Sequence, residues 1–248
     1  MNADLAHRLR TFSEAAKNLK GWSFEYKPES LSGPVPWNYE EMASNLLKHG
    51  DVVLDLGTGG GEVFSRIVEG KDCVAYASEE WHVNAPVARD HLYSKANVIR
   101  ASSSQLPFTN QSFDLVLARH EAIQPEEIER VLKSEGTFLT QQVIPDFMRE
   151  LKDTFPTMTA YPNHYFEYQE SFSKLGLNVE RAEEYRYQIR FNDLGHLVYQ
   201  LVATPWTVPG FDVDSHLGEL SMLDEHMRSG GELLFTAGYY LLKVTKDG

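Results

Sequence analysis

The stretch that decides the fold is Val52-Val53-Leu54-Asp55-Leu56-Gly57-Thr58-Gly59-Gly60-Gly61-Glu62. Its apolar beginning ends in an acid and breaks into a glycine-dense turn, and an amphipathic segment follows. This order is typical of a buried parallel strand that runs into a tight turn and a helix. Glycines permit positive φ and the close approach of a ligand, and the N–H groups that open the helix favour a polar or anionic group. The stretch therefore predicts a nucleotide-type cofactor site.

The spacing of these glycines excludes two common nucleotide motifs. The dinucleotide fingerprint G-x-G-x-x-G would need glycine at Glu62 if it began at Gly57, and at Phe64 if it began at Gly59. The P-loop pattern would need Gly-Lys-Ser/Thr, which does not follow. The spacing that stands here, Asp55-x-Gly57-x-Gly59-x-Gly61, resembles the first motif of class I S-adenosylmethionine-dependent methyltransferases.

The composition is that of one large globular domain, or of one domain with an insertion. The chain has 248 residues, of which 42% are hydrophobic and 24% charged, and no apolar run is long enough to span a bilayer. The N-terminus lacks the basic and apolar regions of a secretory signal. The single cysteine, Cys73, excludes an internal disulfide and a multi-cysteine metal site. We therefore expect no metal and a cytoplasmic location.

The charge balance argues against a nucleic-acid substrate. The chain has 23 basic and 36 acidic residues, so its formal net charge is −13. A nucleic acid is held mainly by Lys and Arg side chains that neutralise its phosphates, and the sequence has no Lys/Arg cluster. We therefore expect a small-molecule substrate, no membrane contact, and a monomer or a homodimer.

A second acid lies at the spacing of a ribose-binding residue. The apolar segment 73–78 ends at Glu79, about 24 residues after Asp55, close to the roughly 20-residue offset of such acids. A carboxylate suits this role because its two oxygens accept from two adjacent hydroxyls. The alternative is an ordinary acid at a strand end. Glu80 is the second candidate, and Trp81 packs either against an adenine face or in the core.

The segment after the third predicted strand also resembles the methyltransferase family. Leu106-Pro107-Phe108 and a polar loop precede Ser112-Phe113-Asp114 and an apolar strand. The resemblance implies that the turn at Ser102–Ser103 lies beside the adenine. The family usually has Asp at this turn, where it bonds the adenine amino group, and Ser102 would accept that bond more weakly.

The fourth predicted strand ends at Arg119-His120-Glu121, where a doubly wound sheet changes strand order and ligands bind. Methyl transfer needs a nucleophile held in line with the sulfonium methyl, and often a base. His120 titrates near neutrality and is the first candidate base, and Glu121 is the second. The alternative for His120 is a structural or surface role. Arg119 is a candidate to hold a substrate carboxylate or phosphate, or the methionine carboxylate of the cofactor.

Two mechanisms of nucleic-acid methylation lack their residues in this sequence. The Asn/Asp-Pro-Pro-Tyr/Phe motif, which resembling enzymes use on nucleobase amino groups, is absent. A covalent cysteine mechanism needs a reactive thiol, whereas Cys73 stands at the start of a predicted buried strand, which is the wrong end.

The resemblance covers residues 50–142 by motif and implies a doubly wound α/β fold. Its mostly parallel, seven-stranded sheet has the order 3-2-1-4-5-7-6, with the seventh strand antiparallel. We predict an N-terminal helical flap, a cofactor-binding core, a helical insertion and a last core strand, at 1–49, 50–191, 192–230 and 231–248. Roughly 40 residues between strands six and seven exceed an ordinary connection, so they are predicted to be helices that cover the sheet edge or form a lid. Residues 21–37, rich in Pro, Gly and aromatics, are predicted to be loop.

These observations predict an S-adenosylmethionine-dependent methyltransferase that acts on an oxygen or nitrogen of a small molecule. An RNA methyltransferase and a non-catalytic S-adenosylmethionine-binding module are the alternatives. The predicted cofactor-binding residues are Asp55, Gly57, Thr58, Gly59, Gly61, Glu79, Glu80, Trp81, Ser102, Ser103 and Arg119. The predicted substrate contacts are Trp37, Gln141, Trp206 and Phe211.

Overall fold

A computed structural model describes residues 2–248, so Met1, the first residue of the predicted flap, lies outside the described residues. The helices are α1 (Asn2–Lys17), α2 (Tyr39–Leu46), α3 (Glu62–Ile67), α4 (Asn84–His91), α5 (Pro125–Val131), α6 (Tyr165–Lys174), α7 (Leu194–Ala203) and α8 (Leu217–Arg228). The strands are β1 (Glu29–Ser30), β2 (Val52–Leu56), β3 (Val74–Ser78), β4 (Asn97–Ile99), β5 (Phe113–Arg119), β6 (Leu132–Val143), β7 (Leu177–Phe191) and β8 (Leu233–Lys246).

One sheet joins these strands in the order β1-β7-β8-β6-β5-β2-β3-β4. Strands β2 to β6 run parallel, and β8 is antiparallel to both of its neighbours, β6 and β7. Read from β4, the seven strands from β2 to β8 have the order that the sequence predicts, and the doubly wound α/β fold is confirmed. The sheet places the carboxyl ends of β2, β3, β5 and β6 at one edge, which is where ligands bind in such folds.

The prediction of loop throughout residues 21–37 is wrong at β1. Glu29 and Ser30 pair antiparallel with Arg190 and Ile189 at the free edge of β7. A carboxylate oxygen of Glu29 lies 2.9 Å from a guanidinium nitrogen of Arg190. A strand of two residues is too short to show an alternating pattern. It forms because the edge of β7, far along the chain, is available for pairing, and the sequence around Glu29 does not reveal this.

The strand β2 is apolar except for Asp55 because the sheet is covered on both faces. Val53 packs with residues of α2 and α3, and Leu54 packs with residues of α5 and α6. Strands buried on both faces have continuous rather than alternating apolar runs. This double burial positions the turn after β2 between the two layers of helices.

The helices α7 and α8 lie between β7 and β8 in the chain and pack against α1. Asp193 caps α7, and its carboxylate accepts a hydrogen bond from the N–H of Gly195. Leu9 of α1 shares a buried cluster with Leu197 of α7 and Leu220 of α8. Within residues 2–248, no helix is both long and apolar enough to cross a membrane.

Candidate functional site

The glycine loop after β2 has left-handed backbone at Gly57 (φ +58°), Gly59 (φ +63°) and Gly61 (φ +82°). Residues with a side chain rarely adopt this conformation, so the sequence needs glycine there. The loop is also closely covered. A Cβ atom added to Gly57 would overlap the carboxylate of Glu121, and one added to Gly59 would overlap the indole of Trp22. The glycines therefore form a cradle that admits groups lying directly on the backbone.

Glu79 joins the end of β3 to this loop. The residue is 7% exposed, and its carboxylate accepts from the N–H of Gly59 at 2.7 Å and from the N–H of Trp81 at 2.8 Å. Each carboxylate oxygen has a further lone pair, so Glu79 can also accept from hydroxyl donors. Burial raises the pKa of Glu79 above its ordinary value. Glu80 differs, because it is exposed and its backbone carbonyl accepts from Arg100.

Asp55, at the end of β2, is a buried carboxyl behind the loop. It is 7% exposed, and burial raises its pKa from 3.8 to about 7. The charges of Glu79 and Glu121 act in the same direction, whereas that of Arg119 opposes them. Thr58 is also buried, and its backbone N–H donates to the carbonyl of Ser78 at 3.0 Å. Asp55 therefore carries only part of a negative charge near neutral pH.

The turn after β4 reaches the loop through Ser103 rather than through Ser102. The hydroxyl of Ser103 is buried and donates to the Glu121 carboxylate at 2.9 Å. The hydroxyl of Ser102 instead lies 3.0 Å from that of Ser104, within the turn itself. Burial raises the pKa of Glu121, and its backbone carbonyl accepts from the side-chain amide of Gln142 at 2.7 Å. Glu121 is thus held against the glycine loop from two sides.

His120 follows β5 with a left-handed backbone, at φ +59°. Its N–H donates to the carbonyl of Gln141 at 2.9 Å, and its ring stacks on Tyr239 with centroids 5.0 Å apart and planes 14° apart. Its Nε2 lies 3.2 Å from Nε2 of Gln141. Desolvation and then the charge of Arg119 lower the pKa of His120, although part of the residue reaches solvent. A non-glycine residue in this conformation costs free energy and is often found at functional sites.

An open groove of about 720 Å³ lies beside His120. Its floor includes Arg119 and Gln141 from near the carboxyl ends of β5 and β6, and Tyr239 from the middle of β8, and residues 34–40 form its opposite wall. The indole N–H of Trp37 in this wall donates to Oε1 of Gln141 at 2.8 Å. Two predicted substrate contacts, Trp37 and Gln141, are therefore bonded to each other in one groove. Sequence reasoning missed Tyr239, because an aromatic residue within an apolar strand carries no sign that it faces a groove.

Three tryptophans meet at the glycine loop. The ring of Trp22 lies 6.3 Å from that of Trp81 and 5.8 Å from that of Trp206, between centroids. Their exposed fractions are 38%, 46% and 47%. The indole N–H of Trp206 donates to the hydroxyl of Tyr161 at 3.0 Å. Trp206 thus lies near the glycine loop, as does Trp22, a residue of the predicted N-terminal flap that the folded chain brings to Gly59.

Phe211 packs against the buried cluster that includes α8 and is not among the residues that line the groove, so its role as a substrate contact stays a prediction. Its ring packs edge-on against Phe155 at 5.7 Å and stacks on His216 at 5.3 Å, between centroids. The N–H of Phe211 donates to the carbonyl of Val208, and this tight turn directs the ring into the core around α8. Trp206, five residues earlier, lies on the other side of this turn.

Comparisons with known proteins agree with this geometry. The family described as methyltransferase domain matches residues 54–140, which run from β2 into β6. No curated protein matches the chain at a significant level.

Among solved structures, a candidate methyltransferase of Bacillus halodurans C-125 has 17% identity and a TM-score of 0.63, over 84% of this chain and 99% of its own. The YcgJ protein of Bacillus subtilis has 18% identity and a TM-score of 0.60, over 84% and 97%. The [4+2]-cyclase SpnF has 16% identity and a TM-score of 0.58, over 96% and 92%. Residues 54–140 therefore match a methyltransferase domain, and the solved structures show that the chain shares their α/β fold.

Proposed function

We propose that the protein transfers the methyl group of S-adenosylmethionine to an oxygen or nitrogen atom of a small molecule. The observation that carries this proposal is the buried carboxylate of Glu79, which accepts from the N–H of Gly59 and from that of Trp81. This arrangement puts an acceptor for hydroxyl groups directly beside a loop in which four of five residues, 57–61, are glycine. A ribose needs both an acceptor for its hydroxyl groups and space close to the backbone.

The other residues around the loop fit the cofactor by their chemistry. Glu79 would accept from the ribose hydroxyls, and the turn at Ser103 would lie beside the adenine. The buried carboxyl of Asp55 and the carboxylate of Glu121 would face the cationic part of the cofactor, since opposite charges attract strongly where water is excluded. When bound, S-adenosylmethionine supplies a methyl group on a positively charged sulfur. The chain itself orients the acceptor and excludes water, which accounts for much of the rate in such reactions.

The groove beside Arg119 supports a small molecule as the acceptor. Its volume of about 720 Å³ lies within the roughly 300–1,000 Å³ typical of small-molecule sites. An RNA methyltransferase is the less favoured alternative, because the formal net charge of −13 would repel a polyanion. We propose a cytoplasmic protein that is a monomer or a homodimer, and we propose the boundaries 1–49, 50–191, 192–230 and 231–248 for its flap, core, insertion and last strand.

A second candidate function is a module that binds S-adenosylmethionine without transferring its methyl group. One observation favours it, because Nε2 of the candidate base His120 lies 3.2 Å from the side-chain amide of Gln141 and is thus already engaged. The two candidates predict the same cofactor binding and differ only in methyl transfer.

The first experiment is a calorimetric titration of the purified protein with S-adenosylmethionine, its demethylated product and NADH. We expect micromolar binding of the first two and no binding of NADH. The variant Glu79→Gln is expected to weaken binding, whereas Glu80→Gln, which removes the adjacent exposed charge, is the matched control and should not. If ligand-free protein binds neither S-adenosylmethionine nor its product, both candidate functions are wrong.

The second experiment separates the two candidates. Protein that binds S-adenosylmethionine is incubated with its methyl-labelled form and a panel of small alcohols, phenols, amines and carboxylic acids, and label in organic-soluble products is counted. Transfer to any of these acceptors supports the enzyme. Tight cofactor binding without transfer to the panel or to bulk RNA supports the binding module, and transfer to RNA alone supports the RNA alternative.

A further inference from the structure

The hydrogen bonds of Gln141 determine which of its amide atoms faces His120. An indole N–H can only donate, so the Gln141 atom 2.8 Å from Nε1 of Trp37 must be the amide oxygen. The amide nitrogen then lies 3.2 Å from Nε2 of His120. Because an amide nitrogen also only donates, Nε2 of His120 must be the acceptor of that bond.

This bond assigns the tautomer of His120. A neutral imidazole has one N–H and one acceptor nitrogen. Since Nε2 accepts from Gln141, the proton lies on Nδ1, and Nδ1 has no hydrogen-bond partner within residues 2–248. Stacking on Tyr239 holds the ring in place. The basic nitrogen is thus already engaged, so His120 offers a hydrogen-bond donor rather than the base that the sequence suggested.

The neighbouring guanidinium of Arg119 is a positive charge without a counter-ion. Over the part of the chain that the structure describes, Arg119 makes no ion pair and no side-chain hydrogen bond, unlike most other arginines. Of the nearby acids, Glu40 is held by Arg66 through two 2.7 Å bonds, and Asp55 is partly protonated near neutral pH. Arg119 is half-buried and lines the groove, so its charge is available to an anionic ligand there.

The walls of the groove are flat and weakly polar. The rings of Pro34, Pro36 and Trp37 line one side, and the ring of Tyr239 lines the other. Such surfaces favour a planar apolar body. The groove therefore combines aromatic walls with the guanidinium of Arg119. His120 is not itself a lining residue, but its ring stacks on Tyr239 and its Nε2 bonds Gln141, and both of these residues line the groove.

We infer that this groove binds a flat acceptor molecule that carries a carboxylate, held by the guanidinium of Arg119 and the Nδ1–H of His120. Gln141 is the positioning residue, because its bond to His120 fixes the tautomer, and Trp37 in turn fixes Gln141. This inference rests on the proposed function, in that it names the class of acceptor. The charge-assisted bond from Arg119 is the stronger of the two, so it should dominate the preference for an anion.

The tautomer is tested by long-range ¹H–¹⁵N spectra of protein with ¹⁵N-labelled histidine at pH 7, assigned with the variant His120→Asn. We expect His120 to be neutral, with a protonated Nδ1 and an unprotonated Nε2. Trp37→Phe, which removes the donor that orients Gln141, should produce a mixture of tautomers. Trp206→Phe removes an indole N–H bonded elsewhere and is the control. A protonated Nε2 in the unaltered protein would overturn the assignment.

The anion preference is tested by titrating the protein with benzoate and with its neutral analogue benzamide. We expect benzoate to bind at least about tenfold more tightly, as a charge-assisted bond should achieve. Arg119→Gln should bring the ratio of the two dissociation constants close to one. Arg89→Gln, on the exposed side of α4, changes the net charge equally and should leave the ratio unchanged.

Three results would overturn the inference: no saturable binding of benzoate, equal binding of the two probes, or an unchanged ratio in Arg119→Gln. If Arg119→Gln instead weakens S-adenosylmethionine binding and leaves the ratio unchanged, Arg119 serves the carboxylate of the cofactor. Each of these outcomes leaves the proposed function standing, provided that S-adenosylmethionine binds. Failure of the unaltered protein to bind S-adenosylmethionine refutes the proposed function independently of benzoate.

Discussion

The buried carboxyl of Asp55 should make the stability of the protein fall as the pH rises. Its pKa is about 7 in the folded protein, against 3.8 for an exposed aspartate. Between these values the folded chain holds a proton that the unfolded chain has released. The free energy of unfolding therefore decreases with pH in this window, and stability from this residue is fully present below pH 3.8 and lost above pH 7.

The magnitude follows from the size of the shift. A difference of about three pH units corresponds to about 4 kcal/mol, at 1.36 kcal/mol for each unit, as an upper value for one buried group. About half to two thirds of this loss, roughly 2–3 kcal/mol, falls between pH 5 and pH 8. Such a loss is a large part of the 5–15 kcal/mol that typically stabilises a domain.

The assay is equilibrium unfolding in urea at pH 5 and pH 8, with the unaltered protein and the variant Asp55→Asn. Asparagine cannot ionise, so the variant should lose less stability between the two pH values by roughly 2–3 kcal/mol. Asp114→Asn is the matched control and should leave the loss of stability between pH 5 and pH 8 unchanged, because Asp114 is ionised in the folded and the unfolded chain throughout this window. Although burial alone would raise the pKa of Asp114, its bonds to Lys133 and to the N–H of Val52 hold it below the ordinary value. Equal losses in the unaltered protein and in Asp55→Asn would refute the reasoning.

Three further predictions concern single contacts. Glu79→Gln leaves one side-chain oxygen for two backbone N–H groups, so S-adenosylmethionine affinity should fall by about 1–3 kcal/mol in calorimetry, and an unchanged affinity would contradict the ribose role. Gly59→Ala should lower the free energy of unfolding by about 1–2 kcal/mol for its left-handed backbone, and by a further amount for the overlap with Trp22. In a Trp22→Ala background only the backbone cost should remain. Equal losses in the two backgrounds, measured by urea unfolding, would contradict the contact between Gly59 and Trp22. Asp193→Ala should destabilise the fold by about 1 kcal/mol through its lost cap on α7, and Asp193→Asn, which keeps a capping oxygen, should not.

The cofactor half of the site could be predicted from the sequence because its parts lie within consecutive strand–turn–helix units. The glycine turn and Glu79 are separated by one helix and one strand, so parallel pairing of β2 with β3 brings them together. Local chemistry and spacing suffice for such an arrangement. The strand order, by contrast, was predicted from the resemblance to class I methyltransferases and not from any local pattern.

The features of the site that the sequence did not predict depend on contacts between distant parts of the chain. Trp22 reaches Gly59 only because the flap crosses the loop, and no pattern near Trp22 indicates this. The choice of Ser103 over Ser102, and the direction of Phe211, each depend on the geometry of one turn. The tautomer of His120 depends on a chain of two hydrogen bonds that begins at Trp37. A single sequence shows none of these contacts, side-chain orientations or hydrogen bonds.

The position of the tryptophans has a practical consequence for every binding experiment above. The chain has four tryptophans; three surround the glycine loop, and the fourth, Trp37, lines the groove. The tryptophan fluorescence of the protein therefore arises from indoles beside the two proposed ligand positions. A ligand at the loop should shift the emission of three half-exposed indoles to shorter wavelength, whereas one in the groove should quench the buried indole, so unlabelled protein reports which of its two sites has been filled.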